Sequence, residues 1–133
     1  RAGTCIFNDR MMIKAGFASL NECGFHVHAS VVSRAGPTRG ILDSGSKTLT
    51  SDRFGLTGYG HILEYPEAII SKFAEEHGFL DLSQCSEKPN VGDVVRIIPN
   101  HVCVCVNMFD EMIAIRGREI VDLIPISARG KLI

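Results

Sequence analysis

The stretch Pro99-Asn-His-Val-Cys-Val-Cys-Val-Asn107 holds the residue types best suited to chemistry. Imidazole and thiolate together favour zinc over magnesium or calcium. Valines alternate with His101, Cys103 and Cys105, and this alternation predicts a strand over His101–Val106. Successive strand residues point to opposite faces, so the three donors would share one face and Val102, Val104 and Val106 would face the core. Donors two apart lie roughly 7 Å apart along the backbone, within reach of one ion held at Zn–N of ~2.0 Å and Zn–S of ~2.3 Å. His-x-Cys gives two protein ligands, or three with Cys105. Structural zinc is normally closed by four, so two ligands leave positions for water or substrate. The competing reading is packing, with the cysteines as small buried groups and His101 satisfied at a strand end. A lone His-x-Cys is a weak motif, and its spacing alone favours packing.

Other candidates are weaker still. His26 and His28 alternate with an apolar set and are expected to face solvent or a partner. His61 and His77 have no ligand-spaced companion. Lys47, in Asp43-Ser-Gly-Ser-Lys-Thr48, is a substrate-binding or Schiff-base candidate, with simple solvation as the default. There is no GxxxxGK[ST], no GxGxxG (Gly58-Tyr-Gly60 lacks the third glycine) and no GxSxG.

The chain has 133 residues, 45% of them hydrophobic and 22% charged, with a formal charge of −1. Those values fit one ordinary globular domain, spanning 1–133, able to bury a core unaided. They argue against a generally basic nucleic-acid binder, and no apolar run reaches the ~20 residues of a membrane span. Five cysteines with no repeated CxxC point to a reducing compartment, here the cytoplasm. Because the first residue is Arg1, the chain is expected to be a piece of a longer or trimmed protein.

The elements expected to position these residues are mostly short strands. Thr4–Asn8 reads as one. Gly24–Arg34 is a better one, with Phe25, Val27, Ala29 and Val31 on one face. Ala35–Thr38 is a turn, and Arg39–Asp43 returns as a hairpin arm. Ser44–Asp52 reads as a polar loop, and His61–Tyr65 and Val94–Ile98 as strands. Glu111–Arg116 and Glu119–Ile124 form a second hairpin about Gly117-Arg118. On local signals Pro66–Gly78 reads as a helix. The sum is mainly β, an antiparallel barrel or sandwich.

Several motifs in chain order carry a resemblance: Phe7–Met11, Val31–Arg34, Leu42–Lys47, Glu75–Gly78, Val91–Asp93, Pro99–Glu111 and Ala128–Lys131. They resemble the D-serine dehydratase and D-threonine aldolase-like family, whose signature runs PNHxC…N.FDE. The resemblance implies the C-terminal, mostly β domain of an alanine racemase-like (fold-type III) enzyme. An N-terminal barrel, absent from this chain, would carry pyridoxal phosphate on a lysine. No catalytic residue is then expected here, and Lys47 is not the cofactor lysine. The resemblance also replaces the local helix at Pro66–Gly78 with a strand pair over Ala68–Leu82.

The resemblance further implies a divalent metal on His101 and Cys103, with Cys105 a bystander. His-x-Cys points to zinc and D-serine dehydration to pyruvate and ammonia. His-x-Asp members tend toward aldol cleavage and manganese. Asn107 and Asp43 lie in family-like motifs and are candidates for lining or supporting the pocket, as is Lys47. Turn formation is the equal alternative for Asn107 and Asp43. The tyrosine base of alanine racemases has no counterpart before Asp43, where Ile41 and Leu42 stand. The implied partners are a small D-3-hydroxy amino acid, the barrel of the same protein and a second subunit, with no nucleic acid or membrane. D-threonine aldolase-like cleavage and a non-catalytic β dimerisation or docking module are the rival readings.

Overall fold

The computed structural model describes residues 2–131. Its order is α1 (Arg10–Lys14), β1 (Val27–Arg34), β2 (Arg39–Leu42), α2 (Ser46–Leu49), β3 (His61–Ile62), β4 (Ile69–Phe73), β5 (Gly78–Asp81), β6 (Val94–Ile98), α3 (Val102–Val106), β7 (Glu111–Arg116) and β8 (Glu119–Pro125). Six strands form one antiparallel sheet in the order β3-β6-β1-β2-β5-β4. The sheet curls into a nearly closed barrel. Its two end strands meet where the amide of Tyr59, just before β3, donates to the carbonyl of Ile70 in β4 at 3.1 Å. Gly60 makes this approach possible, since a Cβ there would lie 2.6 Å from Ile97 Cγ2 and 3.2 Å from the Ile98 carbonyl.

The core follows from strand alternation. Phe25, Val27, Ala29 and Val31 are buried on one face, as the sequence predicts, and meet Leu42, Ile70, Leu80, Val95 and Ile97 inside the barrel. β6 matches the expected Val94–Ile98. β4 and β5 replace the local helix signal of Pro66–Gly78, as the family resemblance implies. Ile70 and Leu80 pair across them and are both buried, a contact that a helix could not make.

Three expectations fail. Thr4–Asn8 is not a strand but a single 3-10 turn at Thr4–Ile6, where the amides of Phe7 and Asn8 fold back onto the Thr4 carbonyl. The polar segment Ser44–Asp52 contains α2, whose first amides, from Ser46 and Lys47, donate to the carbonyls of Ala74 and Glu75 in the β4–β5 turn. Most consequentially, Val102–Val106 is a helix rather than a strand. Val102 and Cys105, three apart, are its buried pair, and Cys103 is exposed. Tertiary contacts here override the strand preference of alternating valines.

Among the described residues β7 and β8 pair only with each other. Met112 packs toward the barrel core, whereas Ile113, Ile115, Ile120 and Leu123 are exposed. Among the described residues no helix is long and apolar enough to cross a membrane.

The tightest packing constraint is Gly45, at the head of α2. A Cβ there would lie 2.4 Å from the Glu75 carbonyl, 2.5 Å from that of Ala74 and 2.5 Å from the His77 amide. Backbone atoms cannot swing aside as a side chain can. Gly45→Ala is therefore expected to lower stability by about 1–3 kcal/mol or more through overpacking. A urea-unfolding midpoint equal to wild type would show that α2 and the β4–β5 turn are looser than described.

Candidate metal centre

The donors sit where the starts of α1 and α3 are brought together by one carboxylate. Asp9 is fully buried. Its Oδ1 accepts from the Met12 amide at 2.9 Å, and its Oδ2 accepts from the Val102 amide at 2.9 Å. It thus caps both helices and satisfies amides that a helix's first turn leaves without internal partners. The Arg10 and Met11 amides donate to the carbonyls of Pro99 and Asn100, each at 3.2 Å. Arg10 Nη1 donates to Asn100 Oδ1 at 2.7 Å and also to the carbonyls of Thr57 and Gly60. Burial lowers the Arg10 pKa from its ordinary value. Buried Asn100 turns its amide toward the carbonyls of Asp52, at 2.9 Å, and Gly58, at 3.0 Å. These bonds hold the backbone just before His101 to α1 and to the Asp52–Gly60 loop.

His101 is the N-cap residue of α3, in extended conformation, but its side chain makes no capping bond. Its imidazole is 20% exposed, and its Nδ1 lies 3.0 Å from Asp52 Oδ2. The Phe54 ring meets it edge-on, with 5.1 Å between ring centroids. Two residues of this loop have unusual backbones for non-glycines: Thr50 (φ 61, ψ 178) and Phe54 (φ 46). Such conformations cost of order 1–3 kcal/mol each and persist only where surrounding contacts hold them. No local signal marks Asp52 as the partner of a histidine 49 positions later, so sequence reading missed it.

The cysteines separate cleanly. Cys103 is exposed, and its Sγ lies 3.2 Å from Thr4 Oγ1. Cys105 is sealed in the core, with its thiol donating to the Thr48 carbonyl of α2 at 3.1 Å. Burial pushes the Cys105 thiol up to about 12. The single shared face expected of His101, Cys103 and Cys105 is therefore corrected, because a helix turns the two cysteines to different sides. The other candidates are tied into the scaffold. Asp43 Oδ1 accepts from the Ser30 amide at 2.7 Å and braces β1 against β2. Lys47 pairs with Glu75 and Glu76 at the surface, and these carboxylates raise its pKa. Asn107 is the C-cap of α3.

The donor chemistry suits a divalent ion. One imidazole nitrogen is occupied by a carboxylate, and the other has no hydrogen-bond partner among the described residues. A histidine that ligates metal commonly has its second nitrogen held in this way. An exposed thiol lies in the same first turn of α3. Among the described residues no group of three or more His, Cys, Asp or Glu is gathered as a metal cage. His101 and Cys103 are the two candidate ligands that the described residues offer here. A separate shallow cleft of about 260 Å³ is lined by Arg10, Ile13, Lys14, Leu20, Leu56 and His61, and neither His101 nor Cys103 borders it.

The barrel with its short helices is the β domain found in alanine racemase-like enzymes. It superposes on D-threo-3-hydroxyaspartate dehydratase from Delftia sp. HT23 with a TM-score of 0.82 at 25% identity, covering 94% of this chain and 38% of that one. A cysteine-to-alanine variant of the same dehydratase, in the metal-free form, also matches with a TM-score of 0.82. Residues 24–115 match the family model described as "Putative serine dehydratase domain", and the chain belongs to that family, the D-serine dehydratase and D-threonine aldolase-like proteins. An uncharacterized protein of Mycobacterium tuberculosis is 34% identical over 131 residues, covering 95% of this chain and 98% of that protein. The D-threonine aldolase of Arthrobacter sp is 32% identical over 109 residues, covering 82% of this chain but 28% of the aldolase. The chain thus spans under two fifths of the enzymes it matches, and nearly the whole of the mycobacterial protein.

Two outcomes are expected. Asp9→Ala removes both caps and leaves buried amides unpaired, so it should cost about 2–4 kcal/mol. The Met12 and Val102 amides should lose hydrogen-exchange protection together; loss at only one would show that the caps are independent. For Cys105, the folded state keeps a proton that the unfolded chain releases above its ordinary value of 9.0. Its contribution to stability is therefore whole below about pH 9 and fades as pH rises toward 12. Between about pH 8 and 10, wild type should lose stability more steeply than Cys105→Ala in urea titrations. Parallel slopes would mean that the thiol is not sealed from water.

Proposed function

We propose that this chain is the metal-bearing β domain of a pyridoxal phosphate-dependent D-amino acid lyase, with His101 and Cys103 holding zinc and D-serine as substrate. The observation that carries this reading is the division of labour in α3. The family's His-x-Cys positions are both reachable from solvent, whereas Cys105, two residues on, is sealed. The enzymes that match in sequence or fold are named for hydroxylated D-amino acids. That shared chemistry supports a D-3-hydroxy amino acid as the substrate class.

When bound, zinc would supply a Lewis acid for charge developing on the β-hydroxyl, and pyridoxal phosphate an electron sink for charge at the α-carbon. This chain's own part is to hold. His101 Nε2 and Cys103 Sγ would be the two protein ligands, and Asp9 and Asn100 set the backbone on which they sit. The α-proton would be removed by a lysine of an N-terminal barrel in the same protein, so this domain contributes no proton-transfer group. Asn107, Asp43 and Lys47 serve the scaffold that borders the pocket. A homodimer with the pocket between barrel and β domain, in the cytoplasm, completes the proposal. The exposed apolar face of β7 and β8 is available for such contacts.

Two other readings have specific support. The sequence match to the Arthrobacter aldolase favours retro-aldol cleavage at the same metal. The match that spans 98% of the mycobacterial protein supports a docking or dimerisation module as the rival reading. Zinc content of the purified chain separates catalytic from non-catalytic readings. About one zinc per chain is expected for a single two-ligand site, with loss in both His101→Ala and Cys103→Ala. Zinc unchanged in both variants would remove the Lewis-acid role. In a barrel-containing parent, pyruvate release from D-serine is expected, and glycine release from D-threonine would instead favour the aldolase.

A further inference from the structure

We propose that Asp52 is the positioning residue of the site: it fixes the proton of neutral His101 on Nδ1 and so leaves the Nε2 lone pair free to bind a cation. This deepens the zinc reading and, for its metal-binding consequence, rests on it. Four observations converge. Asp52 Oδ2 lies 3.0 Å from His101 Nδ1, and an ionised carboxylate can only accept, so the ring nitrogen must be the donor. The Asp52 carbonyl is held at 2.9 Å by the side-chain amide of buried Asn100, the residue preceding His101. Both partners of the pair are therefore referenced to one rigid segment. The imidazole is also released from capping. Although His101 is the N-cap of α3, its side chain makes no capping bond, and the nearest leading amide, that of Val102, donates to Asp9. Finally, the loop that delivers Asp52 holds two non-glycine residues at positive φ, Thr50 and Phe54, and the second packs its ring edge against the imidazole. A loop that only connected elements would have no need to hold such a conformation.

Neutral imidazole in water prefers the proton on Nε2, so the opposite tautomer needs a cause, and the carboxylate supplies one. Asp52→Asn keeps an acceptor oxygen, whereas Asp52→Ala does not. Long-range 15N–1H correlation of His101 in the metal-free chain, at a pH where the ring is neutral, reads the tautomer directly. The expected result is Nδ1–H in wild type and in Asp52→Asn, and a shift toward Nε2–H in Asp52→Ala. Wild type with Nε2–H overturns the proposal by itself, so the test survives a poorly folded variant. An unchanged tautomer in folded Asp52→Ala overturns it as well. Zinc titration of the same proteins is the second readout. Loss of a partner behind a ligating histidine typically costs about 10–100-fold in affinity, and that is expected for Asp52→Ala, with Asp52→Asn closer to wild type. Equal affinity in Asp52→Ala and wild type overturns the metal-binding part. If wild type takes up no zinc, the zinc reading and this part fail together, while the tautomer result still decides whether Asp52 sets the ring.

Discussion

Two short helices that start within a few ångströms of one another need their leading amides satisfied in the interior, where water cannot do it. Asp9 does this for both, with one oxygen for α1 and the other for α3. The rest of the site follows from that arrangement. His101, extended at the head of α3, makes no capping bond with its ring, which turns to Asp52 instead. With α1 pinned, Arg10 reaches Asn100 and the carbonyls of Thr57 and Gly60. Asn100 in turn holds the loop that carries Asp52. A carboxylate buried at 0% exposure is tolerated because helix N-termini present positive dipole ends and unpaired N–H groups to it.

The barrel strands were legible because burial has a period of two: β2 shows it throughout, β1 as far as Val32 and β6 as far as Ile97. The β7–β8 hairpin was legible from its turn at Gly117-Arg118. Helix α3 was not. Its alternating valines and cysteines mimic a strand, whereas its buried pair faces the core and its first amide is satisfied by a residue 93 positions away. The strand pair β4–β5 was hidden for the opposite reason: Pro66, Gly78 and helical spacing imitate a helix, and only the match of motifs across the chain reversed that reading. Local patterns are silent about pairing partners, and in both segments the partner decided.

The choice of candidate donors rests in part on a faulty inference. The expectation that His101 and Cys103 act together came from a shared strand face that does not exist, and from the family resemblance, which does not depend on it. In the helix, burial makes a distinction that alternation could not. It assigns Cys105 to the core and leaves Cys103 at the surface. Asp52, Phe54 and Asn100 were out of reach of sequence reading because they act on His101 through the fold alone. Lys47 and Asp43 were noticed for their motif and prove to brace surface and sheet.

The β7–β8 ribbon has a consequence for handling the protein. Both of its outer edges carry unpaired backbone N–H and C=O groups, and one face exposes Ile113, Ile115, Ile120 and Leu123. A two-stranded ribbon is marginal in water on its own, and a bare apolar edge invites a further strand from any neighbour. At high concentration the isolated chain is therefore expected to associate through this ribbon, and charged substitutions at Ile113 or Ile120 are the natural remedy for crystallisation or spectroscopy.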